Sequence, residues 1–214
     1  LQHSAQGEGL IRLGFLRSLG TEYIPALAAE FLAANQGKNI RFEFHTDRTP
    51  GLLDGLVGQK YDLVFCSRPE QDLHLTAVPV TRQELVLIVP KDHPLASRQS
   101  IDLREALPYP QICFGQGPGL RGVIDDLFAA AGGQPKVAYE TEEDQVIAGL
   151  VARGFGIAVV PDMAVLYRLN VAVLRIASPT YKRELFAVHN DAVFLPPAAR
   201  NFLEFAVEHS REKA

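Results

Sequence analysis

The sequence predicts an α/β fold made of two βαβαβ units joined by two extended strands. Three observations predict it. Short apolar runs alternate with helical patterns from Leu10 to Cys66, the alternation restarts at Gln111 and runs to Val160, and pairs of strands follow each block with no helix between them. A β-α-β-α-β order is the signature of a parallel sheet with helices packed on its faces. The 214 residues exceed the usual domain of ~100 to 150 residues. With 47% apolar and 21% charged residues, the chain has the material for buried cores and lacks the composition of disorder.

In the first block, Leu10 to Leu16 reads as a strand, and Tyr23, Ile24, Leu27, Ala28, Phe31 and Leu32 then recur at helical spacing. Ile40, Phe42 and Phe44 alternate with Arg41, Glu43 and His45, as in a strand with one polar face. A helix over Leu52, Leu53, Leu56 and Val57 precedes a strand from Tyr61 to Cys66. The alternation then breaks. Leu75 to Val80 and Leu85 to Val89 both read as strands, yet Thr81 to Glu84 between them carries no turn signal, which predicts one extended path and not a hairpin. The second block holds strands at Gln111 to Phe114, Lys136 to Glu140 and Ile157 to Val160, with helices on Val123 to Ala131 and Val146 to Val151. Val171 to Ile176 and Glu184 to His189 are again consecutive strands, predicting a second passage, and the apolar face of a last helix, on Phe202, Leu203, Ala206 and Val207, follows Pro196 and Pro197. Two lobes linked in this way predict a small-molecule site in the cleft between them, outside the carboxyl ends of the strands.

Charge and composition exclude several functions. The longest apolar runs fall far short of the ~20 residues needed to cross a bilayer, so no membrane span is expected. A net charge of -4 and a pI near 5.9 argue against a DNA-binding module acting by itself, because nonspecific affinity comes from clustered Lys and Arg. Cys66 and Cys113 each sit in an apolar stretch and read as small buried hydrophobes, which fits a reducing cytoplasm. The chain opens on Leu1 with no basic and then apolar leader, as expected of a sequence from which an upstream segment has been removed.

The residues that could carry chemistry lie where strands end. Gly115-Gln116-Gly117-Pro118-Gly119-Leu120-Arg121-Gly122 follows a strand and opens a helix, and from Gly117 it satisfies G-x-G-x-x-G, with Glu140 ending the next strand. A dinucleotide site needs the first glycine at the strand end; here it stands two residues late and Pro118 removes a backbone donor. A helix N-terminus with Arg121 in its first turn suits an anionic group. In Arg17-Ser18-Leu19-Gly20-Thr21, which links the first strand to the first helix, Ser18 stands at the carboxyl end of the strand, where its hydroxyl is expected to face the cleft, while Thr21 suits a helix cap. Thr49-Pro50 reads as an N-cap and N1 pair, with the Thr49 hydroxyl divided between capping alone and capping plus ligand contact. Arg68 follows the third strand. Glu142, Glu143 and Asp144 open a helix and offset its dipole. The six histidines form no H-x-x-x-H pair and none stands near a cysteine, so no metal site is expected. There is no G-x-S-x-G elbow and no catalytic triad that spacing alone assembles.

From Gly9 to about His209 the sequence resembles the effector-binding domain of LysR-type transcriptional regulators. The most specific match is Val151-Ala152-Arg153-Gly154-Phe155-Gly156-Ile157-Ala158-Val159-Val160-Pro161. It is supported by Leu10 to Phe15, by Ile24-Pro25 with Phe31, by Gly58 to Leu63, and by Glu84 to Val89 leading to His93-Pro94-Leu95-Ala96. The resemblance implies two Rossmann-like subdomains joined by two crossover strands, the type 2 periplasmic-binding-protein-like fold. Residues 9–81 with 184–214 would form one subdomain and residues 82–183 the other. It implies a cytoplasmic sensor with no catalytic role, no cofactor and no metal, self-associating as a homodimer or tetramer, with DNA met by a winged helix-turn-helix domain upstream. The family pattern places effector contacts at Ser18, Thr49 and the loop Pro118, Gly119, Leu120 and Arg121; Arg68 is added from position and charge. Arg68, Arg121 and the helix N-terminus lean toward a small carboxylate or another anion. Two other functions fit the residues less well: an extracytoplasmic solute-binding protein of a transporter, and a nicotinamide-dependent enzyme.

Overall fold

The structure is a computed structural model, and it describes residues 9–69, 74–117 and 119–212. The chain divides into two compact units, Leu1–Arg82 with Glu184–Ala214 and Gln83–Arg183. It therefore passes from one unit to the other twice.

The first unit is built on a five-stranded sheet in the order β2-β1-β3-β11-β4. Its strands are β1 (Gly9–Phe15), β2 (Ile40–Thr46), β3 (Leu63–Cys66), β4 (Leu75–Gln83) and β11 (Arg183–Asn190), and its helices are α1 (Tyr23–Ala34), α2 (Thr49–Val57) and α5 (Pro197–Glu212). β1 runs parallel to β2 and to β3, and β11 runs antiparallel to β3. Side chains alternate across a strand, so each strand feeds two faces. Ile11, Leu13 and Phe15 of β1, Leu63 and Phe65 of β3, and Leu185 and Ala187 of β11 pack with Ile24, Leu27 and Phe31 of α1 and Phe202 of α5. On the other face Val64 and Cys66 of β3 and Phe186 and Val188 of β11 meet Leu52 and Leu56 of α2. That two-sided burial is why β3 reads as an unbroken apolar run while β2, at the sheet edge, alternates.

The second unit repeats the plan without repeating the sequence. Strands β5 (Leu85–Pro90), β6 (Ser100–Asp102), β9 (Ala158–Pro161) and β10 (Val171–Ser178) form a sheet in the order β6-β10-β5-β9, and β7 (Pro110–Phe114) pairs with β8 (Lys136–Thr141). The two sheets touch where Ile112 N–H donates to Ile157 O at 2.8 Å and Ile157 N–H donates to Pro110 O at 3.0 Å. Gly156 permits this approach, since a Cβ there would lie 2.8 Å from the Pro110 carbonyl oxygen. Leu85, Leu87 and Val89 of β5 face α3 (Leu120–Ala130) through Ile124, Leu127 and Phe128, while Val86 and Ile88 face α4 (Asp144–Ala152) through Ile147, Ala148 and Val151.

In both units a parallel trio, β2-β1-β3 or β8-β7-β9, is continued by an antiparallel strand that has just entered from the other unit, β11 beside β3 and β5 beside β9. β4 and β5 thus belong to different sheets, so the path through Gln83 is extended and is not a hairpin. β6 and the 3-10 turns at Arg17–Leu19, Leu103–Ala106 and Ala164–Arg168 were not expected from periodicity, being three to five residues long. Both cysteines are buried. No helix among the described residues is long and apolar enough to cross a membrane.

Candidate functional site

Because β1, β2 and β3 are parallel neighbours, their carboxyl ends and following loops share one edge of the first sheet. Backbone bonds stitch these ends together: Leu16 N–H donates to Phe65 O at 3.0 Å and Asp47 N–H to Phe15 O at 3.3 Å. After β1 the chain makes the turn Arg17–Leu19, in which buried Leu19 anchors half-buried Ser18. After β2 it enters α2. The expected N-cap role of Thr49 is corrected here: Arg48, with φ -79° and ψ 160°, is the cap residue, and Thr49 is already helical. The Thr49 hydroxyl is turned to the neighbouring loop, where it accepts a hydrogen bond from the Ser67 amide at 3.3 Å. Thr21 likewise is not the cap of α1, which starts after Glu22. Arg68 is exposed, with its guanidinium carbon 5.5 Å from the ring centroid of Phe186. Phe186 pairs with Cys66 in the register of β11 and β3, so its ring lies beside the end of β3. Ser18, Thr49 and Arg68 are thus brought to one edge.

In the second unit the equivalent edge carries the loop from β7 to α3. Gly115 N–H donates to Thr141 O at 3.2 Å, tying the loop to the end of β8. Gly117 and Gly119 have φ of 126° and 125°, a region that side chains other than hydrogen rarely enter. Gly119 is the N-cap of α3 and makes no side-chain cap bond. Leu120 begins the helix and packs partly into the core that faces α3, whereas Pro118 lies outside the described residues.

Arg121 is placed differently from the expectation that it meets an external anion. It is 7% exposed. Its Nε donates to both carboxylate oxygens of Asp125 at 3.0 Å, and its Nη1 donates to Phe114 O at 2.7 Å and to Glu140 Oε2 at 3.0 Å. Burial alone would lower its pKa, but the hydrogen bonds and charge of Asp125, with Glu140, hold it above the usual arginine value. Glu140, where a dinucleotide site would need an acid for the ribose, is engaged by Arg121. Nearby, burial pushes the Cys113 thiol up to about 11. Sequence reasoning missed the Arg121 partners although the i,i+4 spacing to Asp125 was legible. It also missed Phe186, whose link to Arg68 depends on strand pairing. Among the described residues no cluster of three or more His, Cys, Asp or Glu is placed to hold a metal ion.

The family model for the LysR substrate binding domain matches residues 4–211. The chain belongs to this family. This LysR substrate-binding domain is 33% identical over 205 residues to the uncharacterized HTH-type transcriptional regulator YybE of Bacillus subtilis, covering 96% of the chain and 70% of that protein. It is 24% identical over 204 residues to the transcriptional dual regulator GltC of Bacillus subtilis, covering 94% of the chain and 67% of that protein. Across the curated relatives first matched, the domain spans 50 to 70% of their length. Among solved structures it resembles the effector binding domain of QuiR in complex with shikimate, with a TM-score of 0.91 and 35% identity over 96% of this chain and 98% of that one. The regulatory domain of Synechocystis CcmR in complex with 2-PG shares the fold at a TM-score of 0.82 and 23% identity, over 95% of this chain and 98% of that one. The mixed α/β, type 2 periplasmic-binding-like fold and the effector-binding character of a LysR-type regulatory domain follow from these likenesses. The transporter reading is not favoured, since the relatives named here are transcriptional regulators.

Proposed function

We propose that this domain senses a small carboxylate and acts without covalent chemistry, as the cytoplasmic sensor of a LysR-type regulator. The observation that carries the reading is the edge of the first sheet where Ser18, Thr49 and Arg68 stand on the segments that follow β1, β2 and β3, segments that are hydrogen-bonded to one another. Hydroxyls orient a carboxylate, and an exposed guanidinium offers it charge-assisted hydrogen bonds. On the second unit taken by itself, the backbone N–H groups of Gly119 and Leu120 at the start of α3 are also proposed to meet the effector, with Pro118 next to them in sequence. Shikimate, bound by the QuiR domain at 35% identity, is the first probe because it is a small hydroxylated carboxylate. Titration calorimetry should show saturable shikimate binding that Thr49→Ala weakens. Unchanged affinity in that variant removes Thr49 from the site.

The effector acts by population: a ligand that binds one of two conformations better shifts the protein toward it. In a self-associated regulator, that shift alters the spacing of DNA-binding segments. Self-association is supported by exposed apolar side chains on edge strands, Phe44 on β2 and Val137 and Tyr139 on β8. DNA contact is assigned to a winged helix-turn-helix upstream of Leu1. Sequencing the native coding region there should reveal it, whereas a cleavable signal peptide would contradict the regulator reading.

A further inference from the structure

We propose that Arg121 is a positioning residue that holds the β7–α3 loop in its effector-ready shape and does not itself take the effector's charge. The inference rests on the reading above that this loop meets the effector. A loop with glycines at φ of 126° and 125° has few conformational limits of its own, and among the described residues beyond the chain neighbours a Cβ built at Gly117 or Gly119 would find nothing within 4 Å. The restraint sits at the ends. Arg121 grips three elements at once: the Phe114 carbonyl at the end of β7, Glu140 at the end of β8, and Asp125 one turn along α3. A rigid guanidinium fork suits that bridging and a lysine ammonium does not. With two carboxylates already on it, a further anion at Arg121 would face like charge from Asp125 and Glu140.

The test separates three roles by sign. Arg121→Gln, Asp125→Asn and Glu140→Gln are made in this chain, and shikimate affinity is measured below each variant's melting transition, with circular dichroism confirming the fold. For a positioning residue, each variant binds ~10-fold more weakly, as loss of an orienting partner does. The Glu140→Gln change then adds nothing in the Arg121→Gln background. If Arg121 is instead a direct ligand, Asp125→Asn and Glu140→Gln leave affinity unchanged or raise it, and the proposal is overturned. A merely structural role lowers melting temperature with affinity unchanged, which overturns it as well. Amide hydrogen exchange without ligand at Gly115, whose N–H donates to Thr141 O, gives an independent reading. It should speed up in all three variants while β9 stays protected; unchanged exchange overturns the proposal. Failure of shikimate to bind the unmodified chain counts against the effector reading alone, and exchange then decides the role of Arg121.

Discussion

The Thr49 hydroxyl accepts from the Ser67 amide and so keeps its own proton to donate, the polarity a carboxylate requires. Removing it in Thr49→Ala deletes one hydrogen bond, and ~1 kcal/mol of stability should be lost in denaturant unfolding. The larger effect falls on binding, where a hydrogen bond to a charged group is worth ~1.5 to 3 kcal/mol. Thr49→Ser should restore both and Thr49→Val neither. If Thr49→Val binds as tightly as the unmodified chain, the hydroxyl has no part in recognition. At this scale the sequence was only partly legible. Thr49 and Arg68 stood out by position, yet Thr-Pro at a helix start reads as a cap pair, and the shift of the cap to Arg48 depends on backbone angles that sequence does not print. Arg121 stood out for a charge that the folded chain neutralises internally with Asp125 and Glu140.

Elements were more legible than residues, for a physical reason. β3, β5 and β9 are buried on both faces, leaving unbroken apolar runs; α3 and α5 bury one stripe, leaving helical spacing. Short pieces held by tertiary contact leave no such trace: β6 has three residues and is fixed by its pairing with β10. The turn at His93 shows how such a piece is held. His93 Nδ1 accepts from Leu95 N–H at 3.2 Å and the ring meets Tyr109 edge-on at 4.5 Å. Burial lowers the His93 pKa against an opposing pull from Asp92. A lowered value means the unfolded chain binds the proton more tightly, so this contribution is full above the ordinary histidine pKa of ~6.5 and is lost as pH falls through the folded value. Urea unfolding between neutral and mildly acidic pH should show stability falling toward acid, with a shallower fall in His93→Gln. An equal fall in both would show that the turn does not couple to this proton.

For the whole molecule, the two passages of the chain make the first unit discontinuous and the second continuous. The core on the α1 and α5 face joins β1 and β3 to β11 and α5, where Phe202 is fully buried and its ring centroid lies 5.1 Å from that of Phe31 and 5.0 Å from that of Phe42. A fragment of residues 1–82 lacks that half of its core and should be unfolded by circular dichroism, while residues 83–183 carry both helical faces of the second sheet and should retain native-like structure. Cooperative folding of 1–82 alone would contradict this division. The two parallel trios and the two passages were legible in the order of elements, whereas the antiparallel pairing of β11 with β3 and of β5 with β9 depends on strand neighbours that the sequence does not show. The net charge of -4 argues against DNA binding by this chain alone.

The central claim is that the loops at the carboxyl ends of the parallel strands carry the effector site. Titrating shikimate into isotopically labelled protein and following backbone amide shifts tests it most directly. Saturable shifts are expected at the amides of Ser18, Thr49, Ser67, Arg68, Gly115, Gly117, Gly119 and Leu120. Shifts centred instead on the exposed edges β2 and β8, with these loops silent, would contradict it.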